Sequence, residues 1–235
     1  MIGKLMRLAP ALGAALVLAA CSGTGTQQSE SLPKVLKESV SAAVKARREG
    51  PRPVVTVTPK MLADTKIAAL QVNPEKLGGS DFLRRIARRN DSEYGTVEVW
   101  SSSDNAQIFL RNGVLVGTRG VGGDIISSAA PATIRAVSQA VSGSGNRLYR
   151  VDRGDNTVQD VTLGCRIDSL GPQQIVVVNQ AFATIHLRET CTGGPTGETA
   201  IVNNYWVQPG SGLVRKSRQW AGPIVGYFEM ILLKN

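Results

Sequence analysis

The residues most suggestive of chemistry lie in one glycine-rich stretch, GVLVGTRGVGGDII, at positions 113–126. A phosphate-binding loop needs GxxxxGK followed by serine or threonine at the start of a helix, and no such lysine is present. The dinucleotide pattern GxGxxG needs a βαβ unit, whereas the surrounding residues resemble hairpins. The stretch therefore predicts a strand turn at Asn112-Gly113 and bends at the later glycines. Arg119 and Asp124 are close enough in sequence to form an ion pair.

Other catalytic arrangements are poorly supported. A glycosidase needs two carboxylates about 5–10 Å apart across the scissile bond, but none of the acids considered lies in a hydrolase motif. Those acids are Asp104, Asp124, Asp160, Asp168 and Glu189. A serine triad needs a histidine base, and the only histidine, His186, lies on an alternating strand typical of a packed or surface residue. We therefore predict no enzyme, no catalytic residue, no cofactor and, without a CxxC motif, no metal site.

The N-terminal residues predict export. Lys4 and Arg7 precede an apolar run, Leu8–Ala20, that is shorter than the ~20 residues of a membrane-spanning helix. Residues 1–20 are therefore predicted to be a signal peptide. The run ends in LAAC, which resembles the lipobox of bacterial lipoproteins and implies cleavage before Cys21 and acylation of that cysteine. An ordinary secretory signal with a chance cysteine is the alternative.

The implied acyl chains would anchor the protein firmly, because each buried methylene contributes about 0.8 kcal/mol. Ser22 stands where an aspartate tends to retain lipoproteins in the inner membrane, so we expect the outer membrane, with the body facing the periplasm. Residues 21–31 are small and polar and predict a lipidated flexible tether.

Two cysteines remain after Cys21, namely Cys165 and Cys191. An even pair in an oxidising compartment favours a disulfide, and two buried free thiols are the alternative. On the chain-entropy estimate, a bridge closing a loop of this length would stabilise the fold by about 3.5 kcal/mol.

The charge balance is basic. Removing the first 20 residues, with Lys4 and Arg7, lowers the formal net charge from +9 to +7. The densest cluster is RRIARRN, positions 84–90. It is either a solvated helix face or a surface for an anionic partner such as phospholipid headgroups, lipopolysaccharide or an acidic polysaccharide. Nucleic acid is not an expected partner, because no nucleic-acid motif is present.

The pattern along the chain predicts mainly strands. A helix is expected over 33–49 and a second over 131–141, while 81–90 fits either a helix or a basic strand. Short turns join the strand-like runs, so neighbours should be antiparallel. We predict an all-β domain over 32–235, an antiparallel meander forming a barrel-like β-sandwich with an N-terminal helix and one or two short helices. The predicted strands are 53–58, 66–72, 96–102, 106–112, 114–120, 147–152, 157–167, 174–191, 200–208, 213–222 and 224–233.

Two segments carry distinctive motif residues. The first, at 99–125, carries Trp100, Ser102, Asp104, Gly113, Leu115, Thr118, Arg119, Gly120, Gly122 and Asp124. The second, at 203–227, carries Asn203, Tyr205, Trp206, Gly212, Val214, Ser217, Arg218, Gln219, Trp220, Gly222 and Pro223. With these residues the two segments resemble the YjbF/GfcB lipoproteins, which are associated with group 4 capsule and exopolysaccharide operons. This chain departs from the family pattern at Gly123, an added glycine, and at Gln208, where an acid is often found.

The resemblance implies an outer-membrane lipoprotein that assists secretion or assembly of capsular or extracellular polysaccharide, in a non-catalytic accessory or glycan-binding role. Implied partners are polysaccharide export proteins, the outer membrane through the anchor, and an anionic polysaccharide. Tryptophan stacks on sugar faces and arginine binds carboxylate or phosphate, although a structural role is the alternative for each candidate. The candidates are Trp100, Arg119, Asp124, Tyr205, Trp206, Arg218 and Trp220.

Two other functions stay open at this stage. A carrier of lipids or lipid-linked glycans would need an apolar cavity open at one end, which 174–185 and 224–233 could line. A polysaccharide hydrolase would need two converging carboxylates.

Overall fold

Twelve strands and two short helices form the computed structural model, which describes residues 56–153, 157–194, 197 and 199–235. The helices are α1 (Pro59–Asp64) and α2 (Pro131–Gln139). The strands are β1 (Ala69–Pro74), β2 (Asp81–Asn90), β3 (Thr96–Ser101), β4 (Gln107–Arg111), β5 (Val114–Arg119), β6 (Ile125–Ala129), β7 (Gly143–Asp152), β8 (Val158–Val177), β9 (Gln180–Gly193), β10 (Thr199–Gln208), β11 (Leu213–Gly222) and β12 (Gly226–Lys234). The predicted signal peptide, Cys21, the tether and the 33–49 helix lie outside the described residues.

All twelve strands belong to one antiparallel sheet in the order β5-β4-β3-β2-β1-β12-β11-β10-β9-β8-β7-β6. The two edge strands meet, because the Ile125 amide donates to the Thr118 hydroxyl at 3.0 Å. The sheet is therefore a nearly closed barrel, and the predicted all-β, barrel-like antiparallel meander is confirmed.

Sequence patterns misplaced several elements. Residues 81–90 form strand β2, so the helix alternative was wrong, as was the helix-face interpretation of its arginines. The described part of the predicted 53–58 strand is not in a strand, and Thr58 instead caps α1 by accepting a hydrogen bond from the Met61 amide. The predicted 174–191 strand is divided by a turn at Val178-Asn179. The predicted 131–141 helix is present as α2.

Two groups of buried side chains fill the barrel. The larger group contains side chains from strands that lie far apart around the barrel. Its members include Leu70 of β1, Trp100 of β3, Leu163 of β8 and Met230 of β12. The smaller group seats α2, whose Ile134 and Val137 pack with residues of β5, β8, β9 and β10. None of the described helices is long and apolar enough to cross a membrane.

The predicted disulfide is present. Cys165 of β8 and Cys191 of β9 are directly opposite partners in the sheet, with Cα atoms 4.0 Å apart. The bridge therefore joins two strands that are already hydrogen-bonded neighbours, and both sulfurs lie in the larger core group.

The antiparallel registers bring many turns to one end of the barrel, which we call the α2 end. It contains the turns β2–β3, β4–β5, β8–β9 and β10–β11, and α2 lies there between the last residue of β6 and the first of β7. The chain enters β1 from the same end, because Ala69 pairs with Lys234, the last residue of β12.

Candidate functional site

A cavity of about 270 Å³ lies at the α2 end of the barrel. Its apolar lining comes from five strands and comprises Leu70, Trp100, Leu110, Leu213, Val214, Met230 and Leu232. Its remaining lining is polar, aromatic or glycine and comprises Arg88, Tyr94, Thr96, Glu98, Asn112, Gly113, Ser138, Ser211, Gly212 and Ser217. A concave site with apolar walls and a few polar groups is the usual form of a small-ligand site.

Close turn contacts shape the mouth of this cavity. Asn112 accepts from the Thr96 amide and donates to the Ser138 hydroxyl, both at 2.8 Å, which ties the β4–β5 turn to β3 and to the last turn of α2. Gly212 has φ +65°, and a Cβ there would lie 2.4 Å from the Ser138 carbonyl oxygen. Glycine at 212 therefore lets the β10–β11 turn approach the end of α2.

The charges at the cavity are paired. Among the described lining residues Glu98 is the one carboxylate, and it lies 2.8 Å from an Arg85 nitrogen and 3.6 Å from an Arg88 nitrogen. Arg88 keeps 60% of its side chain exposed, so its guanidinium remains accessible to an anionic group. One carboxylate held between two arginines does not provide the pair of acids that glycosidases use.

The neighbouring β2–β3 turn is fixed by a second pair. The Nη1 and Nη2 atoms of Arg111 each donate to one carboxylate oxygen of Asp91 at 2.7 Å. This bidentate hydrogen bond lowers the pKa of Asp91 from 3.8 to about 2. Asp91 therefore stays ionised and holds the turn that carries Tyr94 to the mouth of the cavity.

Trp100 forms part of the cavity wall and is 1% exposed. Its indole nitrogen is buried and has no hydrogen-bond partner within the described part of the chain. The Arg85 guanidinium lies 5.6 Å from the centre of its ring. Of the sequence candidates, Trp100 is the one that contributes to the lining.

Tyr205 belongs instead to a buried polar network. Its hydroxyl donates to Glu189 at 3.0 Å, and the same carboxylate pairs with Arg147 at 2.7 Å. The Asn203 side-chain amide also donates to the Glu189 carboxylate. The hydroxyl of Thr133, in α2, donates to the same carboxylate and so links it to the helix. Arg147 and Glu189 are both fully buried.

The electrostatics of this network favour the charged form of Arg147. Burial alone would lower the pKa of Arg147, but the Glu189 carboxylate raises it above its ordinary value. Burial, with Glu189 beside it, raises the pKa of Tyr205 well above the ordinary tyrosine value. The Arg147 guanidinium also donates to the Leu115 carbonyl at 2.8 Å and so ties β7 to β5 across the barrel.

The predicted ion pair between Arg119 and Asp124 was wrong. The Asp124 carboxylate accepts hydrogen bonds from the Thr118 hydroxyl and the amides of Gly120 and Val121, at 2.7–3.1 Å. Arg119 is exposed and has no ion pair with Asp124 or another described acid. The aspartate satisfies the local amides because the chain turns back on itself at that point.

This part of the glycine stretch holds the junction between β5 and β6. Gly123 has φ +65°, and a Cβ there would lie 2.6 Å from the Ile224 side chain. The stretch is a turn between strands, as the sequence predicted.

Arg218 is engaged by its neighbours. It forms two hydrogen bonds of 2.6 and 2.7 Å with the Glu75 carboxylate, and its guanidinium lies 3.6 Å from the ring centre of Tyr227. The pair is partly exposed, so this arginine tethers the β1–β2 connection to β11.

The two remaining tryptophans lie elsewhere. Trp206 stacks on His186 with ring centres 4.5 Å apart, and its indole nitrogen donates to Gln173 at 2.8 Å. Trp220 meets the buried Tyr149 ring edge-on at 4.9 Å. The structure thus disperses the sequence candidates and does not bring them together in one site.

Each acid considered for catalysis has a local partner. Asp104 accepts from Ser102, Asp160 pairs with Arg150, and Asp168 pairs with Arg166. Asp124 and Glu189 are bound as described above.

Cys165, Cys191 and Glu189 have ligand atoms within 4.8 Å of one another. Because both sulfurs are in the disulfide and the carboxylate is bound to Arg147, this group is not arranged to take a metal ion.

Sequence reasoning did not find Arg147 and gave Gln219 no role beyond its place in a motif. The Gln219 side chain accepts from the Leu115 amide and donates to the Gly113 carbonyl, linking β11 to β5. Arg147 did carry a signal, because it shares the alternation of Tyr149 and Val151 and therefore points to the core. A charge in a core-facing position indicates a buried partner.

Comparisons with known proteins agree with the fold. The family model described as "Group 4 capsule polysaccharide lipoprotein gfcB, YjbF" matches residues 34–233. A similar solved structure is that of the hypothetical lipoprotein YmcC from Escherichia coli (K12), with a TM-score of 0.64 and 20% identity. The match covers 88% of this chain and 97% of that chain. Comparison with curated proteins gave no match.

Proposed function

We propose, from the premise that this chain belongs to the group 4 capsule polysaccharide lipoprotein family, that it is an outer-membrane lipoprotein that binds capsular polysaccharide during export. Family membership supports the capsule-related role. The observation that carries the binding role is the cavity at the α2 end, with its exposed Tyr94 ring, hydroxyl groups and accessible Arg88.

The mixed lining favours a sugar over an acyl chain. Sugars present apolar ring faces beside hydroxyl groups, and the cavity sets aliphatic and aromatic walls beside three serines, Thr96 and Asn112. The carrier hypothesis expected a lining from 174–185 and 224–233. Of the described lining residues, two come from the second segment and none from the first. The volume of about 270 Å³ is at the lower limit for small-ligand sites, which suits a short stretch of a polymer.

The role is proposed to be non-catalytic. Glu98 is the one acid among the described lining residues and lies between two arginines, so it lacks the partner carboxylate that glycoside hydrolysis needs. Acylation of Cys21 would hold the protein at the membrane where the polymer leaves the periplasm.

The test is complementation of a strain that lacks this gene, with surface polysaccharide as the readout. The parent chain should restore it, and Cys21→Ser, which cannot be acylated, should not. Ser211→Trp should also fail, because Ser211 lies exposed at the mouth of the cavity, where an indole would block entry.

The matched control is Ser103→Trp, at an exposed turn position at the opposite end of the barrel. It should complement fully. Full complementation by Ser211→Trp at equal protein levels would refute a role for the cavity, and full complementation by Cys21→Ser would refute the anchor.

A further inference from the structure

The cavity wall carries hydrogen-bond donors that the described part of the fold does not use. The Trp100 indole nitrogen is buried and has no partner among the described residues. The Ser217 hydroxyl is 2% exposed and accepts from the Gln219 side chain at 3.0 Å, which leaves its own proton available to an acceptor. Both Trp100 and Ser217 line the cavity. Because a buried donor without an acceptor is costly, these two groups suit a ligand that presents oxygen atoms.

The carboxylate and amide oxygens of the described lining already have donors. The Glu98 carboxylate accepts from the Arg85 guanidinium at 2.8 Å, and the Asn112 side-chain oxygen accepts from the Thr96 amide at 2.8 Å. Donors therefore remain available while these acceptors are engaged. This imbalance favours a ligand with many acceptor oxygens over a hydrocarbon chain.

The charge at the mouth of the cavity has the matching sign. Glu98 is shared between two arginines, with Arg85 at 2.8 Å and Arg88 at 3.6 Å, so this group of three side chains keeps one positive charge without a counter-charge. The acids of the β2–β3 turn, Asp91 and Glu93, pair with the arginine of β4 and do not line the cavity. The exposed Arg88 guanidinium is therefore placed to bind a carboxylate or phosphate group.

The cavity is closed at its inner end. Towards the opposite end of the barrel, the next inward-facing side chains of β1, β4 and β12 are Val72, Ile108 and Phe228. Each is 2–3% exposed, and all three belong to the larger core group. A polymer therefore cannot thread through the barrel, and it can enter the cavity only by an end.

We infer, on the basis of the proposed polysaccharide-binding function, that the cavity binds the terminal sugar of a polymer chain and that this sugar carries an anionic group. The anionic group pairs with Arg88 at the mouth, where the exposed Tyr94 ring offers a face for the sugar ring. Oxygen atoms of the sugar accept from the Trp100 indole and the Ser217 hydroxyl. An acyl chain in the same place would leave both donors buried without an acceptor.

The experiment is a ¹H–¹⁵N NMR titration of the acyl-free mature chain, Cys21→Ser, with glucuronic acid and with glucose. The chain has three tryptophans, so its indole N–H signals are few and are assigned with Trp206→Phe and Trp220→Phe. The Trp100 signal should move downfield with glucuronic acid, at about tenfold lower concentration than with glucose. The Trp206 signal is the internal control and should stay, because its N–H already donates to Gln173 at 2.8 Å.

Arg88→Gln should remove the preference for the acidic sugar. It should weaken glucuronic acid binding about tenfold and leave glucose binding unchanged, because only the acidic sugar pairs with the guanidinium. Arg84→Gln is the matched control, since it makes the same charge change at an exposed position of the same strand that does not line the cavity. This variant should keep the preference.

Binding by a chain end is tested with equal masses of the bacterium's own polysaccharide before and after partial hydrolysis. The response of the Trp100 signal should rise with the number of chain ends, and an equal response from the two samples would contradict end binding.

Equal affinity for glucuronic acid and glucose, a Trp100 signal that no sugar moves, or a response to octanoate and not to glucuronic acid would each overturn the inference. Polysaccharide binding that Arg88→Gln leaves intact would overturn it too, while the proposed function would stand. Absence of any binding to the bacterium's own polysaccharide would refute the proposed function itself.

Discussion

At the scale of single residues, the buried pair of Arg147 and Glu189 joins parts of the barrel that lie far apart in sequence. Its hydrogen bonds reach α2, β5, β6 and β10. A buried pair is weak evidence for net stability, but breaking one leaves an uncompensated charge in the core. The network therefore fixes which strands face one another.

Glu189→Gln should destabilise the fold by about 3–5 kcal/mol, because the Arg147 guanidinium would remain desolvated without a counter-charge. Urea unfolding of the Cys21→Ser chain measures the change. Asp160→Asn is the control, since its pair with Arg150 is about half exposed and should contribute less than about 1 kcal/mol. Equal effects of the two substitutions would contradict the assigned role of the network.

At the scale of elements, the β2–β3 turn depends on the ionised form of Asp91. Its pKa of about 2 lies below the ordinary 3.8, so the folded state favours the carboxylate. The stabilisation is fully present above the unfolded pKa and is lost as the pH falls from about 4 to about 2. Asp91→Asn should therefore be less stable than the parent chain at neutral pH.

This stability gap should narrow through the same acidic window. Unfolding midpoints measured at a series of pH values test it, and a ¹³C NMR titration of the Asp91 carboxyl gives the pKa directly. A gap that stays constant down to about pH 2, or a carboxyl that titrates near 3.8, would contradict the bidentate pair.

Alternation and turn residues predicted most of the strands, because side chains of a barrel strand face the core and the solvent in turn. The failures have physical causes. Residues 81–90 were ambiguous because four arginines obscure the period of the pattern. The Val178-Asn179 turn was missed because valine is unusual at positive φ. The break expected between the predicted strands 157–167 and 174–191 is absent, because Gly171-Pro172 lies in a bulge of β8. Helix α1 had a usable signal, Thr58 followed by Pro59, the pattern of a cap and a first helical proline.

The candidate site was harder to predict than the fold. Trp100 was identified as a candidate. Its neighbours in the cavity come from strands at opposite ends of the sequence, such as β1 and β12, and only the pairing of these strands in the sheet brings them together. Most of the other candidates, such as Asp124 and Arg218, bind partners within the fold. Distinctive motif residues in this chain thus often hold turns and strand junctions.

At the scale of the whole molecule, three notable structural features lie together at the α2 end of the barrel. They are the cavity mouth, the turn of the β8–β9 hairpin and the entry of the chain into β1. The opposite end carries the turns β3–β4 and β11–β12.

Titration calorimetry tests the central claim most directly, with the acyl-free mature chain and oligosaccharides from the polysaccharide of the bacterium that encodes it. We predict binding by the parent chain and by Ser103→Trp, and loss of binding by Ser211→Trp, whose added ring would occupy the mouth of the cavity. Absence of heat with the parent chain at millimolar oligosaccharide, or undiminished binding by Ser211→Trp, would contradict the account.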